Sequence, residues 1–139
     1  MNAFVVTVDV EPDGRDPDAE PAADWQGFPE CVALLERLRS RLRQRTGMPV
    51  VFSWFLRMDP EVEARSGSAG YLAEAYPGLL RGLVAQGDEL GLHVHAFRRD
   101  GAGAWYSEHA DAEWIRRSVR AALRTFARAT GRPARSSRR

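Results

Sequence analysis

Short apolar runs alternate with longer amphipathic segments along this chain, and the alternation constrains the fold more than any other feature. The runs cover residues 4–8, 50–56 and 90–95, and the first two are rich in β-branched and aromatic residues. Such runs are typical of strands that are buried on both faces of a sheet. Strands that alternate with helices predict a parallel sheet with right-handed crossovers. The predicted fold class is therefore α/β, with three βα units in one domain over residues 1–139.

Helical periodicity fills the spaces between and after these runs. We expect helices over residues 29–46, 71–86 and 111–130. The first begins at Pro29 and ends before Gly47, in keeping with the preference for proline at helix starts and glycine beyond helix ends. Pro77 is expected to break the second helix. The third carries a broad apolar stripe and ends before Gly131.

The composition fits one globular domain. Of the 139 residues, 44% are hydrophobic and 28% are charged, which excludes disorder throughout the chain. No apolar stretch approaches the roughly 20 residues of a membrane helix, and the N-terminal run lacks the flanks of a signal peptide. The single cysteine, Cys31, excludes an internal disulfide and a cysteine-rich zinc site. We expect a cytoplasmic protein with no membrane partner.

Arginine supplies all 20 basic residues, and the formal net charge is +1. The absence of lysine excludes Schiff-base and P-loop chemistry. Nine arginines and no acidic residue follow Trp114, a pattern found in nucleic-acid binders. The same region lacks the interleaved aromatic residues of a single-strand platform. We therefore expect the solvated face of a helix and no nucleic-acid partner.

Two polar side chains that are two residues apart stand at the end of each predicted strand. The pairs are Asp9 with Glu11, Arg57 with Asp59, and His93 with His95. Two-residue spacing on extended backbone points both members of a pair to the same side. Functional groups collect at the carboxyl ends of strands in parallel sheets, so we expect all six side chains at one rim.

Two histidines and a carboxylate at one rim suit a divalent metal ion with open positions for water. A His-x-His pair alone matches many strands, and an Asp-x-Glu pair alone often marks a turn. The combination at equivalent strand ends favours a metal site bound by His93, His95 and one of the two carboxylates. Zinc is the expected ion, with cobalt, nickel, manganese or iron as alternatives.

Aromatic residues near the rim have two readings each. Residues 12–28 are expected to form either a solvated loop or a substrate lid that carries Trp25 and Phe28. Trp105 is expected in the loop after the third strand, where it either stacks on a sugar ring or packs over the rim. The predicted substrate-binding residues are Arg57, Asp59 and Trp105.

At these residues the sequence resembles the polysaccharide deacetylase family, whose domain is also called the NodB homology domain. The matching phrases are VTVDVE at residues 6–11, FSWFLR at residues 52–57 and GDELGLH at residues 87–93. The family domain is a distorted (β/α) barrel, and its members hydrolyse N-acetyl or O-acetyl groups on polysaccharides, or related amides. The resemblance covers nearly all of this chain but only the first half of a typical family domain. It therefore implies a partial barrel in a truncated chain.

The resemblance also implies roles for individual residues. Asp9 would be the catalytic base, Glu11 a metal ligand and His93 the first metal histidine. The implied reaction is metal-assisted attack of water on an acetyl carbonyl of a carbohydrate or a related small amide.

Two departures from the family pattern qualify these roles. The usual second histidine falls at Phe97, so His95 takes its place if the third strand continues through it. Arg138 is in the position of the arginine that orients the base. The family's later strands and its late histidine, the general acid, are absent, so we expect little or no deacetylase activity from this chain alone.

Three other functions are compatible with parts of the pattern. A non-catalytic metal- or sugar-binding half-barrel would expose a sheet edge and self-associate through it. A glycosidase would need its carboxyl groups at least about 5 Å apart and on opposite sides of the substrate, whereas Asp9 and Glu11 are neighbours on one strand. A nucleic-acid binder is disfavoured by the acidic rim.

Overall fold

The computed structural model of the chain describes residues 6–13 and 25–132. The secondary structure in those residues, in chain order, is β1 (Thr7–Val10), α1 (Gly27–Thr46), β2 (Ser53–Arg57), α2 (Pro60–Ser66), α3 (Tyr71–Ala75), α4 (Pro77–Ala85), β3 (Glu89–His93), β4 (Phe97–Arg99), β5 (Trp105–Ser107) and α5 (Ala112–Thr130).

Strands β1, β2 and β3 form a parallel sheet with β2 at its centre. Thr7 pairs with Ser53 near one end of the sheet, and Arg57 pairs with His93 at the other. Helices separate β1 from β2 and β2 from β3. The predicted α/β alternation is therefore confirmed, while the strands of the described residues close no barrel.

The core lies on one face of this sheet. Phe52, Trp54 and Leu56 are almost fully buried in a cluster with apolar side chains from all five helices. Phe28 of α1 packs edge-to-face against Trp54, with ring centroids 6.0 Å apart. Each fully buried side chain of this kind contributes about 1.5–3 kcal/mol. Because the side chains of β2 alternate between faces, Arg57 points to the opposite face, where the polar groups of the rim lie.

Trp25 and Phe28, expected in a solvated loop or on a lid, belong to this core instead. They are 2% and 4% exposed, and the Trp25 ring lies 6.4 Å from that of Tyr71. Both readings are wrong for these two side chains, because large aromatic surfaces are more stable in the core than at an open rim. The lid segment between Gly14 and Asp24 lies outside the described residues.

The second predicted helix is broken as expected, since α3 ends at Ala75 and α4 begins at Pro77. Helix α2 is not predicted by the apolar pattern, because a helix of 7 residues shows too little periodicity. Its start signal is nevertheless present in the sequence. Asp59 accepts hydrogen bonds at the N-cap and Pro60 occupies the first turn, as at many helix starts.

The strands also differ from their predicted bounds. β1 covers Thr7–Val10 rather than residues 4–8, of which residues 4–5 lie outside the described part of the chain. β3 ends at His93 and is followed by an antiparallel hairpin of β4 and β5. Trp105 is thus on a strand and not in a loop. Strands of three residues are too short to show the alternation from which strands are predicted.

A buried ion pair fastens α1 to the amino end of the sheet. Arg39 donates to the two oxygens of Asp88 at 2.8 and 2.6 Å. The backbone N–H of Phe52 and the indole N–H of Trp54 donate to the same carboxylate, each at 2.9 Å. Burial alone would raise the pKa of Asp88, but these donors outweigh it and the pKa is lowered. Asp88 therefore stabilises the packing of α1 against the sheet, at the end remote from the rim.

Helix α5 packs Ala122 and Phe126 of its apolar stripe into the core and exposes its arginines, whereas Val119 and Leu123 of the same stripe are 36% and 40% exposed. Within residues 6–13 and 25–132, no helix combines the length and the apolar character that crossing a membrane requires.

Candidate metal centre

Three potential metal ligands converge at the carboxyl end of the sheet. Nε2 of His93 lies 2.7 Å from Nε2 of His95, and Oε1 of Glu11 lies 3.3 Å from each of these nitrogens. In the part of the chain that the structure describes, this is the one group of three or more histidine, cysteine or acidic side chains close enough to share an ion. The structure thus brings together the three residues that the sequence nominated as ligands.

The donor set fits a divalent ion. Two imidazole nitrogens and a carboxylate oxygen are ligands that zinc and similar ions accept. The side chains of His93, His95 and Glu11 are 23%, 30% and 40% exposed, so the group is half-buried and remains open to water. Burial, followed by the positive charge of Arg57, lowers the pKa of His95. A lowered pKa favours the neutral imidazole, which is the form that binds a metal.

His95 reaches this group from beyond the sheet. Strand β3 ends two residues earlier, at His93, so the expectation that the strand continues through His95 is wrong. The backbone N–H of His95 instead donates to Oδ2 of Asp59 at 3.1 Å. Its ring packs edge-to-face against Phe97, with centroids 5.2 Å apart. Phe97 therefore supports the ring of His95.

Asp9 approaches His93 from the other side of the ring. Oδ1 of Asp9 lies 3.6 Å from Nδ1 of His93, whereas Nε2 of the same ring faces Glu11. A carboxylate beside the second ring nitrogen favours a proton on Nδ1 and leaves Nε2 free to bind a metal. The Asp9 side chain is 59% exposed, so it is also accessible to a water molecule at the rim.

Arg57 and Asp59, predicted to bind substrate, are buried within the protein. Nε of Arg57 donates to Oδ2 of Asp59 at 2.7 Å, and Nη2 donates to Glu61. Nη1 of Arg57 lies 3.8 Å from Oε2 of Glu11. Burial disfavours the charged guanidinium, but the hydrogen bond to Asp59 and the nearby carboxylates raise the pKa of Arg57 above its ordinary value. Both residues support the ligands from behind rather than face a substrate.

Trp105 lies on β5 and is not part of the group of three ligands. Arg99 covers its ring, with Cζ 4.8 Å from the ring centroid. The ring is half-buried, and its Nε1 is buried without a hydrogen-bond partner. Arg138, predicted to orient the base, lies outside the described residues. Sequence reasoning missed Glu61, which lies four residues from both Arg57 and Arg65 and pairs with each of them.

Comparisons with family models, with curated proteins and with solved structures return no match for this chain.

Proposed function

We propose that this chain is a metal-dependent hydrolase of the polysaccharide deacetylase type, which removes acetyl groups from a carbohydrate or a related small amide. Its open α/β sheet would then be part of a NodB-type barrel. The observation that carries the proposal is the convergence of His93, His95 and Glu11 within 2.7 to 3.3 Å of one another. The phrases around these residues, which resemble the family's motifs, support the same conclusion.

Each residue of the rim has a role under this proposal. Glu11, His93 and His95 would hold the ion, which when bound would lower the pKa of water and polarise the acetyl carbonyl. Asp9 accepts the proton of the attacking water on its exposed carboxylate. Arg57, whose Nη1 lies 3.8 Å from Glu11, keeps that carboxylate turned towards the histidines.

A binding module without turnover is the second candidate. The side chains of Asp9 and Glu11 are 59% and 40% exposed, so the described part of the site is open to bulk water. Charges that face water contribute less to transition-state stabilisation than charges in an enclosed site. Such a rim is able to hold a metal and a sugar without efficient hydrolysis.

Metal content tests the site that both candidates share. Metal-free protein is incubated with zinc, or with cobalt, and the bound ion is measured after dialysis. We expect one ion per chain in the original protein and in His109→Ala, whose histidine is exposed outside the cluster. We expect little metal in His93→Ala. Equal metal content in the original protein and in His93→Ala would refute the site.

Acetate release separates the hydrolase from the binding module. The substrates are acetylated chitooligosaccharides and acetylated xylan, with and without zinc. The hydrolase predicts slow zinc-dependent release, below about 1 per second. Asp9→Asn should still bind zinc, though up to about 10- to 100-fold more weakly because Asp9 also orients His93. At saturating zinc it should lose about 10²- to 10⁴-fold in rate, the usual contribution of a general base. Zinc binding without acetate release would favour the binding module, and release that Asp9→Asn leaves unchanged would remove Asp9 from its role.

A further inference from the structure

We propose that Asp59 is the positioning residue that places His95 beside His93. The expected effect on zinc affinity rests on the proposed function, whereas the placement of the His95 ring does not. Asp59 touches neither ring, and acts through the backbone of His95.

His95 needs such a support because the sheet does not hold it. The parallel ladder ends where Arg57 pairs with His93, and the backbone N–H of Met58 donates to the carbonyl of His93 at 3.3 Å. The next ladder, that of the hairpin, starts at Phe97. His95 lies between the two, in a segment without regular secondary structure. A ring on such a segment keeps a fixed position only if other contacts restrain its backbone.

The carboxylate of Asp59 is suited to this role. Its side chain has no exposed surface, and each oxygen accepts two hydrogen bonds. Oδ1 accepts from the N–H groups of Glu61 and Val62 at 3.1 and 3.2 Å. Oδ2 accepts from Nε of Arg57 at 2.7 Å and from the N–H of His95 at 3.1 Å. Rotation of the carboxylate would break bonds on both oxygens, so the start of α2 fixes the oxygen that holds His95.

Asp59→Asn removes this support while it preserves size. The amide keeps one oxygen for the cap of α2, but its NH₂ group would face the N–H of His95 and Nε of Arg57, donor against donor. Asp88→Asn is the matched control, because Asp88 is likewise buried with four hydrogen bonds, at the opposite end of the sheet. Both substitutions are expected to lower the thermal midpoint.

Zinc affinity is measured by competition with a chromophoric chelator. We expect about 10- to 100-fold weaker binding in Asp59→Asn, the usual cost of losing a group that orients a metal ligand, and near-original binding in Asp88→Asn. Original affinity in Asp59→Asn, or equal weakening in both variants, would overturn the inference. If Asp59→Asn does not fold, Asp59→Ser takes its place, since serine also caps helices but has no second oxygen.

NMR of the metal-free protein tests the placement directly. We expect slow hydrogen exchange at the His95 amide and a nuclear Overhauser contact between the rings of His93 and His95, both lost in Asp59→Asn and retained in Asp88→Asn. Fast exchange in the original protein, or a ring contact that survives Asp59→Asn, would overturn the inference. Absence of zinc binding in the original protein would refute the proposed function and leave this NMR result to decide the role of Asp59.

Discussion

At each end of the parallel sheet one buried aspartate accepts four hydrogen bonds, but the two carboxylates hold different kinds of partner. Asp88, at the amino end, binds the side chain of Arg39 and groups that are themselves in the core. Asp59, at the carboxyl end, binds Arg57 and also the backbone of His95, whose ring reaches the open rim. The comparison shows that the same buried carboxylate either closes a core or supports an accessible site, depending on which donors surround it.

The buried ion pair at the amino end is expected to contribute strongly to stability. Removal of one partner from a buried ion pair leaves an uncompensated charge, at a cost of about 3–5 kcal/mol. Arg39→Met keeps much of the apolar stem of the side chain but leaves the carboxylate of Asp88 buried without its charged partner. We expect urea unfolding to report a loss of that size. Arg37→Met, an exposed arginine on the same helix, should change stability by no more than about 0.5 kcal/mol. Similar losses in the two variants would remove the special status of the pair.

A substitution in the middle of the sheet is expected to have an intermediate effect on stability. A Cβ added at Gly91 of β3 would lie 2.6 Å from a ring carbon of Phe55 on β2. Gly91→Ala must therefore displace that ring, and overpacking of this kind costs about 1–3 kcal/mol. We expect the loss to shrink in a Phe55→Val background, as a double-mutant cycle would show. An undiminished loss in that background would mean that the ring is not the obstacle.

The smallest effect on stability is expected from the protonation of Glu108 in acid. The N–H groups of Asp111 and Ala110, with Tyr106, lower the pKa of Glu108, the residue that follows the hairpin, from 4.5 to about 2. A pKa that is lower in the folded state gives stability that is present above the ordinary pKa and is lost as the pH falls. The thermal midpoint should therefore fall between about pH 4.5 and pH 2, and less steeply in Glu108→Gln.

The pKa of Asp88, at the amino end, shifts in the same direction as that of Glu108. Its pKa is lowered from 3.8, so its contribution is lost as the pH falls below that value. Acid should thus weaken the amino end and the hairpin together. A Glu108→Gln profile as steep as that of the original protein would assign the acid sensitivity to Asp88 and other groups.

Local patterns were sufficient for the order of the main elements and for the candidate ligands. Apolar runs broken by helical stripes predict parallel strands, because burial on both faces demands such runs. The two-residue spacings at strand ends predict that Glu11 and His93 face the same rim, because side chains alternate along extended backbone. These inferences need only the sequence neighbours of each residue.

Burial of charge was not predictable in the same way. Arg57 and Asp59 were expected to face substrate because they stand at the end of a strand, and arginine and aspartate are usually exposed. Their burial depends on mutual pairing and on the His95 amide, 36 residues from Asp59. The Asp88 cluster joins residues 49 positions apart, and no local pattern marks that pairing.

The chain's order of apolar and polar residues was enough to specify an open α/β layer with carboxylates and imidazoles at strand ends, because periodicity and strand direction are local properties. Only the tertiary structure decided which charged side chains are buried. It placed Asp88 and Trp25 in the core and Asp59 behind His95, because the free energy of burying a charge or an indole depends on partners that lie far away in the sequence.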